Sequence, residues 1–128
     1  MSKVLLAGVG GFIGSILRYS IGLLVAQWAD TAKFPFGTLV VNLIGCLVIG
    51  FLSQLAESRG IFTAEARVFI FIGILGGFTT YSSFGNETID LWRGDREVFA
   101  VANIAGHLIL GLSGVWIGRL LANQIWER

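Results

Sequence analysis

A chain of 128 residues with 55% hydrophobic and only 13% charged side chains lies outside the composition of an ordinary soluble domain and reads as a membrane protein. Its net charge of +1, with nine Lys and Arg scattered along the chain, offers no basic face for nucleic acid, and a single cysteine excludes an internal disulfide. The 18 glycines against one proline suit close helix packing in lipid, where small residues let backbones approach.

From Val4 to Trp28 the chain is apolar apart from Ser15, Arg18, Ser20 and Gln27, longer than the roughly 20 residues that span a bilayer. A signal peptide is the competing reading. Lys3 alone stands for its positive region and VAQWAD lacks a small-x-small cleavage site, so the run is expected to be a first membrane helix. The glycines from Gly8 to Gly14 imitate a dinucleotide-binding loop, but that loop also needs a soluble parallel sheet and an acid on its second strand. Gly10 and Gly14 are better read as a GxxxG pair for helix contact.

A polar connector, Ala29 to Lys33, leads to Phe34-Pro35-Phe36-Gly37, which suits an interfacial turn entering a helix. The second span, Thr38 to Leu55, carries Asn42 about one turn inside, with an amide that must find a partner. Cys46, in the same apolar run, reads as a small buried residue. After a charged loop from Glu57 to Glu65, Thr63 is a candidate cap for a third span running from about Ala64 to Trp92. A short loop, Arg93 to Glu97, precedes a fourth span from Val98 to about Ala122, with Asn103, His107 and the Gly114 to Gly118 GxxxG pair; Asn123 to Arg128 form an interfacial tail.

The third span is the unusual one. Within GILGGFTTYSSFGNE, Gly73 to Glu87, paired glycines and five hydroxyls stand inside an apolar segment, where both loosen a helix. Unwound backbone survives in hydrocarbon only when buried in protein or lining a polar path, so an interruption at Gly76 to Thr80 is expected to mark an ion site.

At bilayer depth the polar set is Thr38, Asn42, Thr79, Thr80, Tyr81, Ser82, Ser83, Asn103 and His107, nearly all neutral donors. With Arg18 near a mouth, such a lining can replace the water around a small hard anion, whereas a cation path would use an acidic ring. Phe78, Tyr81 and Phe84 add ring edges, the positive part of the aromatic quadrupole. Taken singly, each hydroxyl reads as helix glue, Phe84 as packing, and Arg18 and Glu87 as charges that snorkel to the interface. His107 has no second His or Cys to complete a metal site, so packing or pore lining is the expected role.

Four spans put both termini on one side of the membrane. Lys3, Arg59, Arg67, Arg119 and Arg128 then face Lys33, Arg93, Arg96 and Arg18, a balance of five against four that leaves almost no orienting bias. Insertion in both orientations, and an antiparallel homodimer, are the expectation.

At these residues the chain resembles the Fluc/CrcB family of small fluoride channels. GTLVVNLIGC, Gly37 to Cys46, is similar to the family's GTLxVNxxG pattern; GGFTTYSSF, Gly76 to Phe84, is similar to its GGxTTFSTF break; and GGFIGSILR, Gly10 to Arg18, also fits. The resemblance covers the whole chain. It implies one all-α domain over 1–128, four transmembrane helices with a broken third, paired as a dual-topology homodimer with two antiparallel pores. The implied activity is passive, fluoride-selective and not enzymatic, exporting fluoride from the cytoplasm across the cell (inner) membrane. It implies a structural sodium ion (Na+) at the dimer centre on the main-chain carbonyls of Gly76 and Thr79. The family's pore phenylalanines fall on Tyr81 and Phe84, its second-helix asparagine on Asn42, and its polar track on Thr38, Asn103 and His107, with Ser82 and Ser83 following the break. Arg18 and Glu87 are expected at the vestibule. Tyr81 stands where phenylalanine is usual, and Asn103 and His107 where small hydroxyl residues are common.

Two competitors differ in what they require. A proton-coupled multidrug exporter of similar layout uses an acid in its first helix, and this chain has none before Asp30. A non-transporting membrane subunit would use its polar residues only to join helices.

Overall fold

Ser2 opens the first helix: its hydroxyl accepts from the Leu5 amide, and α1 then runs without interruption from Lys3 to Trp28. The computed structural model describes residues 2–126 and is helical almost throughout. After the connector, α2 occupies Phe36–Arg59 and ends at Gly60, whose φ of 60° is the left-handed cap conformation that glycine adopts without cost. Thr63 caps the next helix by accepting from the Ala66 amide, as its position suggests. That span is built of successive pieces: α3, Ala64–Arg67; a π-helical stretch, Val68–Leu75; α4, Gly76–Phe78; and α5, Tyr81–Arg93. The last helix, α6, covers Glu97–Trp126.

Among the described residues four segments are long and apolar enough to cross a membrane: Lys3–Trp28, Phe36–Arg59, Ala64–Arg93 and Glu97–Ile125. The protein is an all-α, multi-pass membrane protein. The helices outrun their expected ends, α2 taking in Glu57 to Arg59 and α6 absorbing most of the expected tail. Charged side chains end an apolar stripe but not a helix, because at the membrane surface they reach water from helical backbone.

The helices pack as two pairs, α1 along the π-helical stretch and α4, and α2 along α6. Glycine sets the first crossing. A methyl group on Gly14 would run into the Ile74 carbonyl and lie 2.8 Å from the Phe78 amide nitrogen, and one on Gly77 would lie 2.6 Å from the Gly11 carbonyl oxygen. In the second pair a methyl on Gly118 would strike the Leu47 carbonyl, so the GxxxG pair of α6 meets α2 at backbone distance. Where α2 ends, Arg119 of α6 forks onto Glu57, both contacts at 2.9 Å. At the opposite end Arg96 donates to the Ala32 and Lys33 carbonyls, at 2.9 and 3.3 Å, and holds the α1–α2 connector.

Of the stretch Gly76 to Thr80, where an interruption is expected, Gly76–Phe78 is helical. Only Thr79 (φ −84°, ψ 157°) and Thr80 (φ −148°, ψ 111°) are extended, and they join α4 to α5. The irregularity ahead of them is the wide turn from Val68, a form that is rare and gathers at functional sites. Both glycines stay helical, and Gly77 lies where α1 packs on this segment at backbone distance.

Candidate functional site

Two extended residues inside a span leave backbone groups that must be satisfied, and Asn42 of α2 meets them. Its Oδ1 accepts from the Thr80 amide at 2.8 Å, while its Nδ2 donates to the Thr80 carbonyl at 3.1 Å. One side-chain amide thus pairs with both polar backbone groups of one residue. The Thr80 side chain supports the turn on its other side: its Oγ1 accepts from the Ser83 amide at 3.2 Å as the N-cap of α5 and donates to the Ser83 hydroxyl at 3.0 Å. The Ser82 hydroxyl lies 3.3 Å from the same oxygen. Thr79 turns its hydroxyl back to the Leu75 carbonyl at 2.9 Å.

From Asn42 a polar chain crosses to α6. Its Nδ2 lies 3.1 Å from His107 Nε2, and His107 Nδ1 lies 3.0 Å from the Asn103 carbonyl oxygen one turn earlier. The imidazole rests against Phe84, ring centroids 4.3 Å apart at 42°, and Phe84 in turn lies 5.6 Å from Tyr81 at 50°. Tyr81 and Phe84, three residues apart, share a face of α5, and Asn103 and His107, four apart, share a face of α6.

Two clefts meet at this corner. The first, about 490 Å³, is lined by Ser15, Arg18, Thr38, Thr80, Ser83 and Glu87 among others. The second, about 410 Å³, takes in Asn42, Gly76, Thr79, Tyr81, Phe84 and His107, together with Thr80. Thr80 belongs to both, so the Asn42–Thr80 pair is the partition between them. In the first cleft the Thr38 hydroxyl donates to Glu87 Oε1, while Glu87 Oε2 is buried without a hydrogen-bond partner among the described residues. Arg18 lines the same cleft, which thereby holds one cation and one carboxylate.

The expected site residues thus divide. Arg18, Thr38, Ser83 and Glu87 share the first cleft; Asn42, Tyr81, Phe84 and His107 share the second. Ser82 is exposed, and Tyr81 is 84% exposed in the single chain. Asn103 lines neither cleft: it is 0% exposed, its Nδ2 donates to the Thr88 hydroxyl at 2.9 Å, and its Oδ1 has no partner among the described residues. Its side chain braces α6 against α5, and only its carbonyl reaches His107. Sequence reasoning gave no place to Thr88, whose hydroxyl links Asn103 to the Phe84 carbonyl at 2.7 Å. The signal was its four-residue spacing from Phe84. Ser15 was passed over as a helix hydroxyl, though it lies one turn from Arg18 on the same cleft.

Among the described residues no group of three His, Cys, Asp or Glu side chains gathers for a metal ion. The lining of the second cleft is largely apolar, with Ile49, Phe71, Leu75 and Leu108 around an amide, hydroxyls and an imidazole, and it places no fixed charge where an anion would be trapped.

The CrcB family, described as "CrcB-like protein, Camphor Resistance (CrcB)", matches residues 5–119. The chain is 42% identical over 118 residues, 92% of both chains, to a protein of Methylobacillus flagellatus named fluoride-specific ion channel FluC. Proteins of the same name from Ruminiclostridium cellulolyticum and Chlorobaculum tepidum are 42% identical over 125 residues and 43% identical over 127. These alignments cover 98% and 99% of this chain and 95% and 98% of the relatives.

Proposed function

The chain belongs to the CrcB family, and from that membership we propose that it is a passive, fluoride-selective channel that lets fluoride leave the cytoplasm across the cell (inner) membrane. The observation that carries the reading is the corner at Thr80. Two clefts abut there, separated by one asparagine–backbone pair, and the cleft beyond it has neutral donor groups and aromatic rings among apolar side chains, and no carboxylate. A small hard anion exchanges its water for such donors at moderate affinity and leaves again. In the path so drawn, Arg18 draws the anion into the vestibule, and Glu87 holds the Thr38 hydroxyl. Past Thr38, Ser83 and Asn42 the path continues along the rings of Tyr81 and Phe84 and beside His107, with Ser82 at the rim.

The functional unit in this reading is an antiparallel, dual-topology homodimer with two pores, and a structural sodium ion sits between the subunits on the carbonyls of Gly76 and Thr79. The backbone here fits that group. The Thr80 amide, which would bond the Gly76 carbonyl in a continuous helix, goes to Asn42, and the Ser83 amide, which would bond the Thr79 carbonyl, goes to Thr80 Oγ1. Both carbonyls thereby lack their ordinary helical donors and offer the neutral oxygens that a hard cation prefers. Bound there, sodium would tie the corners of two subunits together.

Fluoride release from liposomes carrying the purified protein tests the activity, read with a fluoride electrode, with chloride as competing anion and no pH gradient. Electrically driven fluoride release with chloride retained is the expected result. Absence of flux from folded dimers would sink the reading in favour of a helix-joining subunit, and flux only under a proton gradient would replace it with coupled transport.

A further inference from the structure

The hydrogen bonds around Asn42 fix more than its position. An amide nitrogen can only donate and a carbonyl oxygen can only accept, so the reciprocal pair with Thr80 assigns Oδ1 and Nδ2 of Asn42 without ambiguity. Nδ2 carries two hydrogens. One goes to the Thr80 carbonyl, and the other points at His107 Nε2, 3.1 Å away. Nε2 must then be the accepting nitrogen. The proton of neutral His107 therefore sits on Nδ1 and is donated to the Asn103 carbonyl at 3.0 Å.

This arrangement has a consequence for an anion in the second cleft. With His107 neutral, both Asn42 hydrogens are committed and the imidazole presents a lone pair, so neither side chain has a hydrogen to give. A proton on Nε2 reverses both. Two N–H groups then face each other, their bond is lost, and Asn42 and His107 each turn a donor toward the cleft beside the Phe84 ring. Resting on the channel reading, we propose that His107 is a proton-operated mask over Asn42. Protonation of His107 exposes the Asn42 Nδ2–H and adds the Nε2–H, creating a paired site for a small anion whose occupancy raises fluoride release on acidification.

The other titratable groups facing this cleft are Cys46 of α2 and Tyr81 of α5; Glu87 of α5 lies across the Thr80 partition, hydrogen-bonded to Thr38 of α2. α6 brings no titratable group to the cleft besides His107 itself. Replacement of His107 alone, with Cys46, Tyr81 and Glu87 left in place, is what separates the imidazole from these groups.

The test is fluoride release from liposomes at equal pH inside and out, stepped from about pH 8 to about pH 5, an interval that brackets an ordinary imidazole. Protein-free vesicles run in parallel subtract the leak of undissociated hydrogen fluoride. Wild type is expected to release fluoride roughly tenfold faster at the acid end, the scale of one charge-assisted hydrogen bond. His107→Gln, which keeps an acceptor for Asn42 but cannot titrate, is expected to show a release rate independent of pH. Steady or falling release from wild type on acidification would overturn the mask while leaving the channel reading intact. Persistence of the acid response in His107→Gln would also overturn it, moving the titration to another group. No release at any pH from folded protein would overturn the channel reading and this proposal with it. Nitrogen-15 spectra of the wild-type histidine give a readout independent of any variant's folding. The Nδ1–H tautomer at alkaline pH, with fluoride shifting the Asn42 side-chain amide only at acid pH, is expected; an Nε2–H tautomer would refute the proposal.

Discussion

Asn42 meets three hydrogen-bonding demands at one corner, and their loss separates folding from passage. Asn42→Ala leaves the buried Thr80 amide and carbonyl unpaired, at a cost of about 1–3 kcal/mol per group, and the expected result is a lower melting temperature in detergent together with lost fluoride release. Asn42→Asp keeps an acceptor for the Thr80 amide but puts a carboxylate where a donor stood, so its melting temperature should exceed that of Asn42→Ala while release still falls by roughly tenfold or more. Equal release from Asn42→Asp and wild type would remove Asn42 from the path. Phe84 makes a second test, because its ring touches both Tyr81 and His107. Phe84→Ile keeps the bulk and removes the aromatic edge; release is expected to drop about tenfold with the protein's elution volume unchanged. A change in elution without a change in flux would favour the helix-joining subunit. At this scale the sequence was legible in residue type and blurred in direction. Asn42, Phe84 and His107 stand out as polar or aromatic groups within apolar spans, and the structure brings them together. Asn103 stood out for the same reason yet points into the α5–α6 contact, because a four-residue spacing fixes which face a residue shares but not which atom of it turns to a cleft.

At the scale of the element, the spans could be read from apolar length, whereas their irregularities depend on neighbours. The π-helical stretch Val68–Leu75 has no local signature beyond its one glycine, Gly73, and the extended pair Thr79–Thr80 is held through Thr80 by Asn42, 38 residues earlier in the chain. Helix propensity therefore locates weakness near Gly76, and the tertiary hydrogen bond decides which two residues leave the helix. The glycine crossing makes this testable without touching a polar group. Gly14→Ala puts a methyl against the Ile74 carbonyl and within 2.8 Å of the Phe78 amide nitrogen, both backbone atoms that cannot rotate away. Overpacking of this kind costs about 1–3 kcal/mol, and the shift of α4 that relieves it would move Thr79 and Thr80 off Asn42. Thermal unfolding in detergent should show Gly14→Ala destabilised and its fluoride release reduced. Gly8→Ala, with nothing within 4 Å of the added methyl, should change stability by less than about 1 kcal/mol. If the two variants behave alike, the α1 crossing does not set the corner.

For the whole molecule, the single chain leaves large apolar side chains outward along every span, Phe12, Ile72 and Leu112 among them, and a membrane chain presents such groups either to lipid or to another copy of itself. The charge balance bears on which copy. Lys3, Arg59, Arg67 and Arg119 lie at the ends where α1 begins and α2 finishes, and Lys33, Arg93 and Arg96 surround the opposite connectors. Arg96 and Arg119 are held at opposite ends of the bundle, so their orienting effects oppose one another. A chain this evenly balanced should insert both ways, giving antiparallel pairs without a second gene product. Adding three lysines to the connector at residues 29–33 should fix one orientation and abolish fluoride release, since parallel chains cannot form the twofold interface that the proposed sodium site needs. Adding them beside Lys3 and Gly60 should fix the other and be equally inactive. Coexpression of the two biased variants is the decisive arm: together they supply both orientations, and release should return to near the wild-type rate although each alone is silent. Full release from either variant on its own would overturn dual topology.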